Sequence, residues 1–186
     1  MKLIYMLYYK MANLKDCPKW NVMNDYYTPE YAWKNIKHII PKDKVIWESC
    51  MLNSHKSNSP KYISDMGYKV VYDCKMDMLK EQPDNFDMII TNPPFETKLK
   101  LDILNRLVEI DKPFILIMNG LNLYTNYIRD IFKDYMKHLQ VINPKGKIHF
   151  DKLLENGDLS HVKNTSFYCI YLCYKMNISN EDLWLV

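Results

Sequence analysis

No apolar run in this 186-residue chain approaches the roughly 18 residues needed to cross a bilayer, so no membrane span is expected. The opening segment from Met1 to Lys10 resembles a secretory signal only superficially. Its apolar part is short and tyrosine-rich, and no small-residue cleavage site follows. Strong charge is missing too: a net charge of +3 rules out a histone-like or tail-type polycation and leaves nucleic acid permitted but not indicated. Five cysteines, Cys17, Cys50, Cys74, Cys169 and Cys173, make no paired framework, which points to reduced thiols in an intracellular, cytoplasmic setting. None has zinc-ligand spacing with His or Cys partners, so no metal is expected. Glycine is scarce, four residues in all, and neither an internal repeat nor a low-complexity linker interrupts the chain. Lysine, tyrosine, asparagine and methionine are plentiful, a bias that an AT-rich genome produces as readily as any physical demand.

What is present suffices for one domain. A hydrophobic content of 48% over this length supports one buried core and not two, so residues 1–186 read as a single domain with its core over about 25–175. Thr28-Pro29-Glu30 reads as a helix start, with Thr28 as N-cap, proline in the first turn and an acid behind it; the helix is expected to run through Trp33, Ile36 and Ile39 to Pro41. Strands are expected at 44–48, 68–72, 86–90 and 114–118, then at 139–142, 147–150 and 166–174. Helices fall around Tyr62 to Gly67, over 99–110 and over 126–137. Phe114 to Met118 is apolar throughout, as a strand buried on both faces must be. Cys169 and Cys173 share one face if their segment is a strand. The alternation implies an α/β fold, Rossmann-like, with a mostly parallel doubly wound sheet and a C-terminal antiparallel hairpin.

Asn92-Pro93-Pro94-Phe95 follows the strand at 86–90, and its prolines forbid that strand to continue. In an open α/β sheet, ligands sit at the carboxyl ends of strands. An exocyclic base amine is a poor nucleophile because its lone pair is delocalised into the ring. The Asn92 side-chain oxygen and the Pro93 carbonyl are acceptors aimed at its N–H bonds, and two prolines orient them in advance. Phe95 is placed to stack on the base, flipped from a duplex or taken from a single strand.

This tetrapeptide after a hydrophobic strand resembles the catalytic motif of the adenine-N6 and cytosine-N4 DNA methyltransferases, which also recurs in RNA and glutamine methyltransferases. With Tyr27-Thr28-Pro29, Ile46-Trp47-Glu48, Lys112 to Met118 and Lys147 to Phe150 in order, residues 25–175 resemble the short adenine methyltransferase-like proteins of bacteriophages and large DNA viruses. The resemblance implies S-adenosylmethionine as cofactor, with Tyr27 and Thr28 bordering its methionine end and Glu48 on its amino group. Asp73 would meet the ribose hydroxyls and Asp77 the adenine; a solvated loop acid explains Asp73 equally. It also implies a cytoplasmic location, that of the host if the chain is viral.

One part departs from that pattern. The family's loop after the first strand is typically acidic-Pro-Phe-x-Gly-x-Gly, whereas this chain reads Glu48-Ser49-Cys50-Met51-Leu52-Asn53-Ser54-His55, with Leu52 and Ser54 where glycines are expected. A Cβ there would crowd the cofactor or strain the backbone by about 1–3 kcal/mol per residue. Two readings follow: a methyltransferase that tolerates an unusual loop, or a catalytically silent subunit that binds nucleic acid or supports an active protein partner. Nucleic acid is the expected substrate, and Lys133, Lys137, His138, Lys145, Lys147, His149 and Lys152 form a basic strip that phosphates could meet, offset by Asp134 and Asp151. A solvated lysine-rich surface explains the strip as well. Asn122 to Tyr127 reads as part of a substrate lip or as an ordinary strand-to-helix connection. No target-recognition domain is evident after Phe95.

Overall fold

The computed structural model describes residues 26–51, 56–154, 158–161, 167–178 and 183–185. The opening segment, Cys17 and the loop positions Leu52 and Ser54 lie outside them. Seven strands form the main sheet in the order β10-β6-β9-β5-β4-β2-β3: β2 (Val45–Trp47), β3 (Lys69–Val71), β4 (Met88–Thr91), β5 (Phe114–Asn119), β6 (Leu139–Asn143), β9 (Cys169–Tyr174) and β10 (Leu183–Leu185). All run parallel except β9, which lies antiparallel between β5 and β6. A second sheet joins β1 (Tyr26–Tyr27), β7 (Asp151–Leu153) and β8 (Leu159–His161).

Strand alternation sorts the core onto two faces. Ile46, Ile90, Ile115, Ile117, Cys169, Tyr171 and Cys173 pack under α1 (Glu30–Asn35) and α2 (Ser59–Asp65), through Trp33, Ile36 and Ile63. On the other face Trp47, Ile89, Phe114, Leu116, Ile170, Leu172 and Tyr174 meet α3 (Thr97–Ile110) and α4 (Asn126–Phe132), through Ile103, Leu104, Leu107 and Phe132. Helices on both faces of a mostly parallel sheet make the doubly wound layering expected. Gly67, at φ +99°, ends α2 in a conformation closed to most side chains. Asp111 ends α3 at φ 56°, held by donation from the Tyr174 hydroxyl at 2.9 Å and the Lys175 ammonium at 2.7 Å.

Four boundaries differ from the sequence reading. Thr28 does not cap α1: Pro29 occupies the cap, no side chain bonds there, and the Thr28 hydroxyl is buried. The helix then breaks at Ile36 (ψ 2°) and continues only as a 3-10 turn over Lys37–Ile39. Likewise α4 stops at Phe132, before a second 3-10 turn at Met136–His138. Residues 147–150 bury Ile148 and Phe150 with strand-like alternation, yet pairing begins only at Asp151, where β1 supplies a partner. The antiparallel pair β6 and β9 is separated in sequence by the small sheet. A last parallel strand, β10, lies on the outer edge of β6.

The buried centre of the sheet predicts a graded cost. Leu172, fully enclosed on β9, should lose about 2–5 kcal/mol on replacement by alanine, whereas exposed Lys137→Ala should change stability by less than about 0.5 kcal/mol. Urea unfolding checks both: an equal midpoint for the two variants would contradict the packing described.

Candidate active site

The chain passes from β2 outward to β3 and then returns to the opposite side of β2 to form β4. In an open α/β sheet such a reversal marks where ligands sit, at the carboxyl ends of the strands on either side of it, here β2 and β4. Glu48 follows β2 directly, and Thr91 and Asn92 end β4.

Glu48 is only 3% exposed. Its Oε1 accepts from the Thr91 hydroxyl and, at 3.4 Å, from the Cys50 amide; that amide also donates to Thr91 Oγ1 at 3.2 Å. Burial pushes the carboxyl up to about 7, and the two bonds only partly oppose it. The acid is therefore poised between its neutral and charged forms at neutral pH. Burial also pushes the neighbouring Cys50 thiol up to about 12, so it is no thiolate nucleophile.

The Asn92 amide is held from outside the main sheet. Its Nδ2 donates to the Tyr26 carbonyl of β1 at 3.4 Å, and because a carbonyl can only accept, this contact fixes which end of the amide is oxygen. Oδ1 is thereby turned away; it is buried and has no hydrogen-bond partner among the described residues. Two residues beyond Tyr26, the Thr28 hydroxyl is likewise buried and unpartnered. A buried polar atom left unpaired costs about 1–3 kcal/mol. Asn92 Oδ1, at the end of β4, is what a site built for a polar ligand would leave.

Pro93 is buried and Pro94 half-buried, which stiffens the corner. Phe95 packs edge-on against Tyr26 (5.6 Å between centroids) and Phe150 (5.9 Å), and tilted against Phe167 (5.0 Å). The ring thus ties the corner to the small sheet, and as a half-buried residue it keeps part of its surface outside the cluster. Tyr27 lies in β1 opposite Asp151.

The two other carboxylates lie beyond β3. Asp73 is exposed and accepts from the Lys75 amide at 2.8 Å in a local turn. Asp77 is buried and accepts from the Leu79 amide at 3.1 Å and from the Lys80 ammonium. The basic strip is divided. Lys133, Lys137 and His138 precede β6, whereas Lys145, Lys147, His149 and Lys152 follow it, and since β6 runs parallel to β4 only the later group is at the carboxyl edge. Five residues of strand hold the halves about 13 Å apart. Among the described residues no cluster of His, Cys, Asp or Glu could hold a metal, and no helix is long and apolar enough to span a membrane.

Sequence reasoning missed Tyr26 and Thr91. Thr91 carried a faint signal, a polar residue closing the run Met88-Ile89-Ile90, while Tyr26 acts through its main chain and carries none.

No family model and no curated protein matches the chain. Among solved structures, a Listeria monocytogenes protein described as a class I S-adenosylmethionine-dependent methyltransferase aligns over 97% of this chain and 70% of its own, with 10% identity and a TM-score of 0.51. This chain has the Rossmann-like methyltransferase fold. TehB of Haemophilus influenzae (16% identity, 79% of this chain and 62% of that one, TM-score 0.45) and a Pyrococcus furiosus methyltransferase (12%, 94% and 98%, 0.44) lie further off.

The raised Glu48 carboxyl makes stability depend on pH. Below about 4.5 it is protonated whether the chain is folded or not. As pH climbs from there to about 7, the unfolded state ionises first and the native state is penalised, by about 3 kcal/mol in all. Above about 7 the penalty is constant. The melting temperature of Glu48→Gln, measured against the parent, should therefore gain steadily between those pH values and then level off; a difference independent of pH would show that Glu48 ionises normally.

Proposed function

We propose that this chain is an S-adenosylmethionine-dependent methyltransferase whose acceptor is an exocyclic amino group of a nucleic-acid base, adenine N6 first among them. The observation that carries this reading is the Asn92 oxygen, buried, unpartnered and fixed in orientation by the Tyr26 carbonyl. It rests also on the resemblance of Asn92 to Phe95 to the adenine-N6 motif found in phage and large-virus proteins, and on a fold shared with a class I methyltransferase.

The residues present fit the cofactor. Glu48 would receive the methionine ammonium, the free Thr28 hydroxyl and Tyr27 would border that end, and Asp73 and Asp77 at the end of β3 would serve the ribose and adenine. When bound, S-adenosylmethionine supplies an electrophilic methyl group. The chain's own part is to make the amine reactive. A base amino group that donates its N–H bonds to Asn92 Oδ1 and the Pro93 carbonyl has its lone pair drawn out of conjugation, and the two prolines keep those acceptors in place without reorganisation. The exposed part of Phe95 would lie along the base. On this reading a single domain acts inside the cell, with sequence choice low or supplied by a partner subunit.

A second reading has its own observation: the Glu48 carboxyl is bonded inward to Thr91 and Cys50, and the sequence after it has no glycine. In that case the chain is a silent subunit that binds nucleic acid beside an active partner. Calorimetric titration with S-adenosylmethionine separates the two. On the enzyme reading, affinity rises with pH through about 7, because an arriving ammonium needs Glu48 ionised, and falls again when the ligand amine loses its proton. Absence of heat at millimolar ligand at every pH would leave only the silent subunit.

Transfer of labelled methyl groups to adenine-containing DNA and RNA oligonucleotides tests the corner itself. Asn92→Ala should lower kcat by about 10²–10³-fold, by analogy with loss of one preorganised polar contact, while cofactor affinity is retained. An unchanged kcat would remove Asn92 from the reaction.

A further inference from the structure

Lys100 stands in the first turn of α3, five residues beyond Phe95, and is only 6% exposed. A buried ammonium is normally paired with a carboxylate. Lys100 has no such pair among the described residues: Glu96, which acts on it from a distance, gives its carboxylate to the amides of Lys98 and Leu99 at 2.9 and 2.7 Å. Its ammonium lies 5.9 Å from the Tyr127 ring centroid, and its one acceptor among the described residues is Asn122 Oδ1, at a long 3.4 Å, an oxygen already taken by the Tyr127 hydroxyl at 2.6 Å. With its oxygen facing two donors, Asn122 must turn its Nδ2 the other way, and Nδ2 is buried with no partner among the described residues. The cluster therefore offers an under-satisfied cation and an unused N–H donor, and no spare acceptor on Asn122. Burial holds the Lys100 ammonium below its ordinary pKa, as expected of a cation awaiting an anion.

Its place in the fold narrows the choice of anion. Asn122 lies in the 3-10 turn Gly120–Tyr124, which follows β5 as Asn92 follows β4, and the two strands are parallel neighbours. The cluster thus stands one strand along the same carboxyl edge. That turn presents Leu121 and Tyr124 (87% exposed) to solvent, and its first amide donates to the carbonyl of Tyr168, another exposed aromatic with the Lys147 ammonium 4.7 Å from its ring centroid. Exposed aromatics interleaved with cations are the make-up of a single-stranded nucleic-acid platform, on which bases stack and phosphates meet ammonium groups. A lone carboxylate ligand would leave those rings without a role.

We propose that Lys100 and the Asn122 amide form a phosphate-binding site that holds the substrate strand's backbone beside the Asn92 corner. The site rests on the nucleic-acid reading above and gives it a handhold: one phosphodiester fixed on Lys100 sets which neighbouring base can reach Asn92. Lys100 is a positioning residue, acting on the strand and not on the reacting amine.

The test is fluorescence anisotropy of a labelled, adenine-containing single-stranded oligodeoxynucleotide over a range of salt, for the parent, Lys100→Met and Lys100→Arg. One lost phosphate contact should reduce the slope of log affinity against log salt by about 0.7 in Lys100→Met, with the slope restored in Lys100→Arg. Thermal unfolding of Lys100→Met should be unchanged or raised, since an uncompensated buried cation has been removed. Equal slopes in the parent and Lys100→Met overturn the proposal. If the parent does not bind the oligonucleotide, inorganic phosphate against chloride at matched ionic strength becomes the probe. Stabilisation by phosphate that Lys100→Met abolishes and Lys100→Arg keeps would uphold an anion site while removing nucleic acid as substrate; no such stabilisation overturns the site. Titration with S-adenosylmethionine runs beside these measurements, so a failure of the methyltransferase reading is seen separately.

Discussion

The reversal of winding between β2 and β4 is the constraint on which the site depends. A chain that continued in one direction would cover the end of each strand with the connection to the next. By forming β3 on one side of β2 and β4 on the other, it sends the connections that follow these two strands in opposite directions, the arrangement at which ligands bind in open α/β sheets. The register Ile46 with Met88 and Trp47 with Ile89 sets Glu48 level with Ile90, so that Glu48 and the Thr91-Asn92 pair just beyond Ile90 share one edge. The Thr91 hydroxyl donates to Glu48 and accepts from the Cys50 amide, which ties the end of β4 to the acid on β2, and Asn92 is the next residue along the chain.

The small sheet gives that cluster its geometry. An asparagine at a strand end would ordinarily rotate about its side-chain bonds and offer either end of its amide to solvent. Here β1 places the Tyr26 carbonyl against Nδ2, and Tyr26, Phe95, Phe150 and Phe167 lock the two pieces together edge to face. Aromatic pairs of this kind contribute about 0.5–1.5 kcal/mol each beyond the area they bury. That is comparable with the cost of leaving an amide oxygen and a threonine hydroxyl buried and unpaired. The rigidity of the corner and its unmet polar atoms are therefore coupled: packing from the small sheet can sustain an arrangement that an isolated turn would relax.

Six of the seven main-sheet strands were legible in the sequence because their signals are local; β10, beyond the expected core of 25–175, was not. Phe114 to Met118 is apolar at every position and is enclosed on both faces; Cys169 and Cys173 share a face because strand side chains alternate. Helix ends were less legible because tertiary packing overrode the local signal. Thr28 has the side chain of a good cap and lies before Pro29 and Glu30, yet the chain enters from β1 and its hydroxyl turns inward without bonding the helix. The three-stranded sheet could not be read, since β1 is two residues long and its partners lie more than a hundred residues away. Asn92 was legible by its prolines, whereas Tyr26, acting through a main-chain oxygen, has no signature in residue type.

The lack of glycine beside Glu48 also acquires a physical reading. In a loop that must admit a cofactor closely, glycine serves by having no side chain. Here Ser49 and Met51 are buried and the Cys50 amide is bonded to both Glu48 and Thr91, so this stretch of backbone is held by its own side chains. The acid there is dry enough to be half-neutral at pH 7. A cationic ligand that charged Glu48 would replace a desolvated neutral acid with an ion pair, and the gain would offset part of the crowding that side chains impose. Selectivity for a cation would then come from the burial of Glu48 rather than from an open glycine cradle. The missing glycines and the raised pKa of Glu48 would then be two aspects of one arrangement.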